Sequence, residues 1–426
     1  MERMRTNSKR ALFFLLSLLF LTGAPFLILY SQGYRIDWSR RSLSQTGGIY
    51  IKAVPGRTLV RVADRDPKQT DFLFGTILVD NLLADTSYEV TVSKEGYHSW
   101  NKTLGVQPRG VTEAKNVILI PTDLALTEVA GGVGQASFSP NGKYAILSGT
   151  DLLNLDTHER TPLSSSLAKV IWSREGTRLL LGNSVFTLED SSCQAGCEVT
   201  GSLGQAAFSL DSLIALSGTT LRQINYETDS SLTLTKDAVA FAVSETGSVL
   251  WIDAKGDVWS STPTRKISET TGPFSSLKLL LFGQDVFLLD REGFSLLKNE
   301  GASLILSGIG RTLLSPDGKK LVLERGSELW LYYLKDEEGQ PARRAGETVF
   351  LTRFSEAVSD LSWVSAHYLV FSTGDHVTIM ETDTRDRLNS VEIANFTSPE
   401  VFWSQSQKKL YLLSGSVLSS SIQLLP

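Results

Sequence analysis

Three kinds of apolar spacing follow one another along the chain. Residues 11–30 read ALFFLLSLLFLTGAPFLILY, with no charged side chain in the run. Coiled as a helix, they would reach ~30 Å at about 1.5 Å per residue, which matches the hydrocarbon core of a bilayer. A helix also pairs its own backbone groups, as lipid requires. From residue 46 the pattern turns to alternation. In Ser87-Tyr88-Glu89-Val90-Thr91-Val92, one face takes Tyr88, Val90 and Val92 and the other takes Glu89 and Thr91, the period of a half-buried strand. Beyond residue 124 the alternation is packaged into a unit that recurs to the end of the chain.

The first pattern predicts a transmembrane helix at 11–30, with Pro25 kinking its last turn and a half. Cleavage as a signal peptide would need a small-residue site, but Thr22-Gly23-Ala24 runs into Pro25, a poor position for a peptidase. Tyr30, Tyr34 and Trp38 follow the run, where amphipathic rings favour the headgroup layer. Arg3, Arg5, Lys9 and Arg10 against Glu2 give the first ten residues +3. This bias predicts a cytoplasmic tip at 1–10, a single pass through the cell membrane and extracytoplasmic domains after it. Arg35, Arg40 and Arg41 on the far side weaken the bias without reversing it. Residues 31–45 are expected to be a linker.

In the second region, Ile49-Tyr50-Ile51-Lys52-Ala53-Val54 and Thr58-Leu59-Val60-Arg61-Val62 flank a Pro55-Gly56 turn, and further strands are expected at 72–79, 87–92, 100–106 and 117–120. Two stretches carry a resemblance: Gly47-Gly48-Ile49-Tyr50-Ile51, and the longer Ser87-Tyr88-Glu89-Val90-Thr91-Val92-Ser93-Lys94-Glu95-Gly96-Tyr97. Residues 46–122 resemble a PEGA domain, a small β-sandwich module of bacterial and archaeal surface proteins. The chain departs from that family at its naming tetrapeptide, where it has Val54-Pro55-Gly56-Arg57-Thr58. The order of helix, Tyr30-Ser31-Gln32-Gly33-Tyr34 and this module resembles that of membrane-anchored bacterial proteins.

The third region, 123–426, repeats a short apolar run ending in Ser, then a turn, a basic residue and a second apolar run. Clear copies are Phe138-Ser139-Pro140-Asn141-Gly142-Lys143, Trp172-Ser173-Arg174-Glu175-Gly176-Thr177-Arg178 and Leu314-Ser315-Pro316-Asp317-Gly318-Lys319. Weaker ones begin near 206, 239, 279, 361 and 401. Pro presets φ for such a turn and Gly supplies φ > 0. A hairpin-bearing unit recurring at about 40 residues is how a β-propeller blade reads in sequence. Eight blades fit the spacing and seven is the near alternative, with a strand at 124–129 closing the ring. The region resembles the TolB-like and WD-type propellers. The expected fold is therefore an all-β ectodomain, a small β-sandwich plus a propeller, behind one transmembrane helix.

Length and charge bear on function. At 426 residues two or more domains are expected. Removing the +3 tip from the net −5 leaves −8 for the rest, which disfavours a phosphate backbone as partner. Cys193 and Cys197, four apart around Gly196, are the whole cysteine complement. They suit a small disulfide loop in an oxidising compartment better than a redox pair. His98, His158, His367 and His376 lack metal-ligand spacing; His367 and His376 flank a predicted hairpin that could bring them together, but without a third ligand. The acidic turns at 253–257, 290–293 and 383–386 read as ordinary turn chemistry rather than a calcium loop. Residues 335–344 read as a solvated loop, with a partner-contacting loop as the alternative. No catalytic, metal or cofactor-binding residue is expected. The preferred reading is a membrane-anchored binding or scaffold protein, its propeller face engaging a protein or cell-envelope polymer. An envelope hydrolase or lyase and a purely structural component are the alternatives.

Overall fold

The uncharged run folds as the helix Thr6–Ser31, continuous through Pro25. Its large side chains, Phe14, Leu19 and Leu21 among them, are exposed. Among the described residues, Arg10–Ser31 is the one helix long and apolar enough to cross a membrane. The computed structural model describes residues 6–31, 33–37, 42–163, 169–188, 196–201, 203–270, 277–298 and 301–425. They divide into two units.

The first unit runs to Thr122 and includes two short later segments, Gly339–Pro341 and Asp383–Asn389. The helix passes into it with almost no spacer. Gly33, at φ +80°, donates its N–H to the Tyr30 carbonyl (3.1 Å), and its own carbonyl accepts the Thr46 N–H (2.9 Å). Strand Tyr34–Asp37 then pairs antiparallel with the start of Ser42–Val54. Within the linker expected at 31–45, residues 34–37 and 42–45 are strand. Its two short pieces find their partners in each other, which apolar periodicity does not reveal.

Ser42–Val54 pairs on one side with Thr76–Leu83 and on the other, in parallel, with Val111–Ile118. A second sheet is ordered Lys68–Gln69, Leu59–Val62, Thr86–Ser93, Trp100–Val106. One core lies between the two sheets, with Ile49, Ile51, Val79 and Leu82 from the first against Val60, Val90, Val92 and Trp100 from the second. The alternation at 87–92 is obeyed: Val90 and Val92 are buried and Glu89 is exposed. The later segments are held by specific bonds. Buried Lys102 donates its Nζ to the Asp383 carbonyl (2.7 Å), Thr103 N–H to Asp386 (2.7 Å), and Gln340 exchanges two bonds with the backbone of Val111 and Glu113.

In the second unit, eight four-stranded antiparallel sheets occur among the described residues, at 136–162, 170–198, 205–235, 238–269, 278–307, 311–353, 358–395 and 400–420. In the first seven, consecutive strands pair. The last has three strands of its own, and its fourth is Thr127–Gly131, which pairs with Val417–Ser420. Each sheet packs on the next: Ile146 of the first on Leu179 of the second, Leu180 on Leu213, Ile214 on Trp251, Ile252 on Leu279, Phe287 on Leu321. Trp363 Nε1 then donates to the Leu313 carbonyl (3.2 Å), and Val401 N–H donates to Asp360 (2.8 Å). The last sheet returns to the first. Phe402 stacks on Phe138 with centroids 4.1 Å apart, and Tyr411 and Leu413 share a core with Ala145 and Leu153. The unit is a closed β-propeller.

The recurring turn explains why the repeat is visible. Ser139, Ser173 and Ser315 are buried at the ends of the first strands. Each hydroxyl accepts the N–H five residues on, from Tyr144 (2.9 Å), Arg178 (3.0 Å) and Lys320 (3.1 Å). Gly142 and Gly318 sit at φ +70° and +66°, a region that costs an L-residue roughly 1–2 kcal/mol. At Gly142 there is a second constraint. An added Cβ would lie 2.6 Å from Ser404 Oγ of the last sheet, whereas at Gly318 it would meet nothing. Gly318→Ala should therefore cost about 1–2 kcal/mol, and Gly142→Ala clearly more. Denaturant midpoints of the two variants check this, and equal losses would contradict the closure contact.

Candidate functional site

The sheet 205–235 closes on itself through two tight turns, and a recess forms where they meet the neighbouring sheet. Ser209 N–H donates to the Ser212 carbonyl (2.8 Å), which turns Leu210 outward. Asn225 Oδ1 accepts the N–H groups of Glu227 (3.0 Å) and Thr228 (3.1 Å), the side-chain-capped turn Asn favours. Ser209 Oγ donates to the Gly247 carbonyl (3.1 Å), tying the turn to the sheet 238–269. The recess measures about 610 Å³ and is lined by Ser212, Gln223, Asn225, Ser230, Ser231 and Thr246, among others. Leu210 and Leu232, 54% and 62% exposed, also line it.

Among the described residues, Asp211 is the one ionisable side chain in that lining. A serine hydroxyl is a weak nucleophile until a neighbouring base activates it, and no histidine or lysine stands among the described residues of this lining. Gln223 Nε2 already donates to Ser212 Oγ (3.0 Å). The surface offers neutral donors and acceptors beside two exposed leucines, a combination that suits binding.

The first strands of successive sheets lie against one another, and a charged cluster sits at their ends. Arg311 pairs with Asp360 (2.9 Å) and lies 3.9 Å from Glu324, while Asp360 also accepts the Val401 N–H. Partial burial, then the Asp360 carboxylate, push the Glu400 carboxyl above its usual range. Arg311 is committed to holding neighbouring sheets together.

A second polar cluster is buried in the sheet 311–353. Lys320 pairs with Glu337 and lies 3.7 Å from Asp317. Burial pushes the Asp317 carboxyl up, but the Ser315 hydroxyl, the Lys320 charge and the Lys319 N–H together bring it below its ordinary value. Burial, with Glu337 nearby, pushes the Tyr333 hydroxyl up to about 12. Arg343 pairs with Glu347 (2.6 Å). The segment expected to be a solvated loop, 335–344, is mostly exposed, and within it Glu337 and Arg343 exchange backbone hydrogen bonds of 2.9 Å.

The residues singled out in the sequence are scattered. Tyr30 is exposed at the helix end. Tyr34 is engaged: Gln45 and Arg109 donate to its hydroxyl (2.7 and 2.9 Å). Trp38 and Cys193 lie outside the described residues, and Cys197 lies on the short edge strand Cys197–Glu198. His367 and His376 do not approach each other. They stand at opposite ends of a hairpin whose register pairs Tyr368 with Glu381 and Thr373 with His376, about 20 Å apart by strand rise. His376 is bonded to Glu392 (3.0 Å), whose carboxylate raises its pKa. The acidic turns are occupied by the chain itself. Asp253 accepts three N–H groups, Asp290 accepts two, and Asp383 pairs with Arg385. Sequence reading missed the recess, whose hydroxyls form no motif. The signal available was the density of Ser, Thr and Asn at 209–231, beside Leu210 and Leu232.

No family model and no curated protein matches the chain. Solved structures similar to it include the Cps50 (Swd1) β-propeller domain of Myceliophteria thermophila, 13% identical, TM-score 0.42, covering 69% of this chain and 97% of that one. Kluyveromyces lactis Hsv2p is similar at 11% identity and TM-score 0.42, covering 62% of this chain and 99% of that one. A chain of a mitotic checkpoint complex is similar at 12% identity and TM-score 0.41, covering 71% and 92%. The propeller assignment rests on the packing of the sheets themselves.

The Tyr333 shift carries a pH consequence. Its proton is held to about 12 in the folded protein, against an ordinary 10.0. The folded state therefore binds the proton more tightly, and stability falls as pH rises from 10 to 12. Tyr333→Phe should reduce that alkaline loss without abolishing it, because Tyr411 is also pushed up to about 12. Unfolding midpoints between pH 8 and 11 check this. An unchanged slope in the variant would contradict the burial of that hydroxyl.

Proposed function

We propose that this protein is a membrane-anchored interaction scaffold whose propeller binds a protein partner through the recess at 209–247. The observation that carries the reading is the recess itself: neutral hydroxyl and amide groups beside exposed Leu210 and Leu232, with Asp211 the one ionisable side chain among the described residues of its lining. An exposed apolar pair rimmed by satisfied polar groups suits a docking surface. The helix Arg10–Ser31 serves as the anchor in this reading, and the basic bias of residues 3–10 supports an N-terminus in the cytoplasm with both units outside the cell membrane.

Several finer assignments belong to the same proposal. The eight four-stranded sheets are eight blades, and the two-sheet unit is a PEGA-like sandwich of a bacterial envelope protein. Cys193 and Cys197 form a disulfide in that oxidising space. The partner is a protein, with an envelope polymer as the alternative, and not a nucleic acid.

A photoreactive amino acid placed at Leu232 in the full chain tests the binding surface. It should give discrete protein adducts in intact cells, and the same group at Leu304, which is also exposed but outside the recess, should give none. Adducts at neither position, or equally at both, would remove the recess as the binding surface.

A further inference from the structure

The turn at 71–75 places three large apolar side chains in a row in solvent. Phe72, Leu73 and Phe74 are 70%, 75% and 67% exposed. They are held there by a built turn. The Asp71 carboxylate accepts the N–H of Phe74 (2.6 Å) and of Thr76 (2.7 Å), and also the Thr76 hydroxyl. Gly75, at φ +66°, closes the turn, since a Cβ there would lie 2.2 Å from the Ala53 carbonyl. Two cations stand beside it: the Arg57 guanidinium lies 4.3 Å over the Phe72 ring, and Lys94, after the strand Thr86–Ser93, donates to the Gly56 carbonyl (2.8 Å). Asp71 is spent on backbone donors, and Glu95 is the exposed acid beside Lys94. Apolar tips flanked by Arg and Lys match an interfacial layer with anionic headgroups.

The same unit carries the apolar helix. The Gly33 carbonyl accepts both the N–H and the hydroxyl of Thr46, so a helix crossing the bilayer would hold this unit at its surface. We propose that the 71–75 turn inserts Phe72, Leu73 and Phe74 into the interfacial layer of the membrane that the helix crosses. This rests on the anchorage proposed above. The helix joins Ser42–Val54 beside Thr46, and the turn joins it at Ala53, about 23 Å along the strand at ~3.3 Å per residue. A membrane that takes both therefore runs along the strands of this sheet, and the unit has two points of attachment instead of one.

The test uses the full chain in nanodiscs of phosphatidylcholine and phosphatidylglycerol doped with a phospholipid bearing a diazirine in its acyl chain. After irradiation, lipid adducts are mapped by mass spectrometry. Adducts are expected on the peptide holding residues 72–74 as well as on the helix. Replacing Phe72 and Phe74 with Ser should remove the first set and leave the second. Adducts on the helix alone overturn the insertion while leaving the anchor standing, and adducts on neither overturn both. A photoreactive residue at Leu73 that captures protein instead of lipid in cells would also overturn it.

Discussion

A four-stranded sheet with two apolar faces must bury both, and in this protein each does so against the sheets before and after it. The sheet at 400–420 cannot complete itself, because it has three strands of its own. It takes Thr127–Gly131 as the fourth, and the Phe138–Phe402 stack and the Tyr411 core seal the junction. Chain entropy opposes such a union of distant segments, so the closing contacts must outweigh it. Once the ring is shut, the innermost strands press on one another, the Arg311–Asp360 pair is fixed, and the turns at 209–212 and 225–230 are held where a recess can form between sheets.

The first unit solves a smaller problem by a different route. Two sheets share one apolar core, and buried Lys102 is accommodated by the Asp383 carbonyl and carboxylate. Its carboxylate partner also pairs with Arg385, which keeps the charge paired where an unpaired buried ammonium would be costly. The helix is tied to this unit through Gly33, whose N–H donates to Tyr30 and whose carbonyl accepts from Thr46. Whatever holds the helix therefore also positions the sheet.

What the sequence made legible follows from how local each signal is. The Ser-x-x-Gly turn is local: one buried hydroxyl, one left-handed glycine and five residues of chain, so the copies at 139, 173 and 315 could be read directly. The alternation at 87–92 is equally local and places Val90 and Val92 in the core. The strand Tyr34–Asp37 reads as linker because it is short and charged, with no apolar alternation to mark its pairing. The bonds of Gln340 and Asp386 in the first unit join residues more than 200 apart, and periodicity carries no trace of them. The recess escaped for a third reason. Serine, threonine and asparagine are ordinary turn residues, and only their convergence with Leu210 and Leu232 marks a surface.

Ring closure by the borrowed strand is the claim on which the rest stands, and hydrogen–deuterium exchange of the intact chain tests it directly. Amides at 127–131 should be protected to the same degree as those at 417–420, since they share one ladder and open together. Exchange of 127–131 at the rate of unstructured chain, with 400–420 still protected, would contradict the closed propeller.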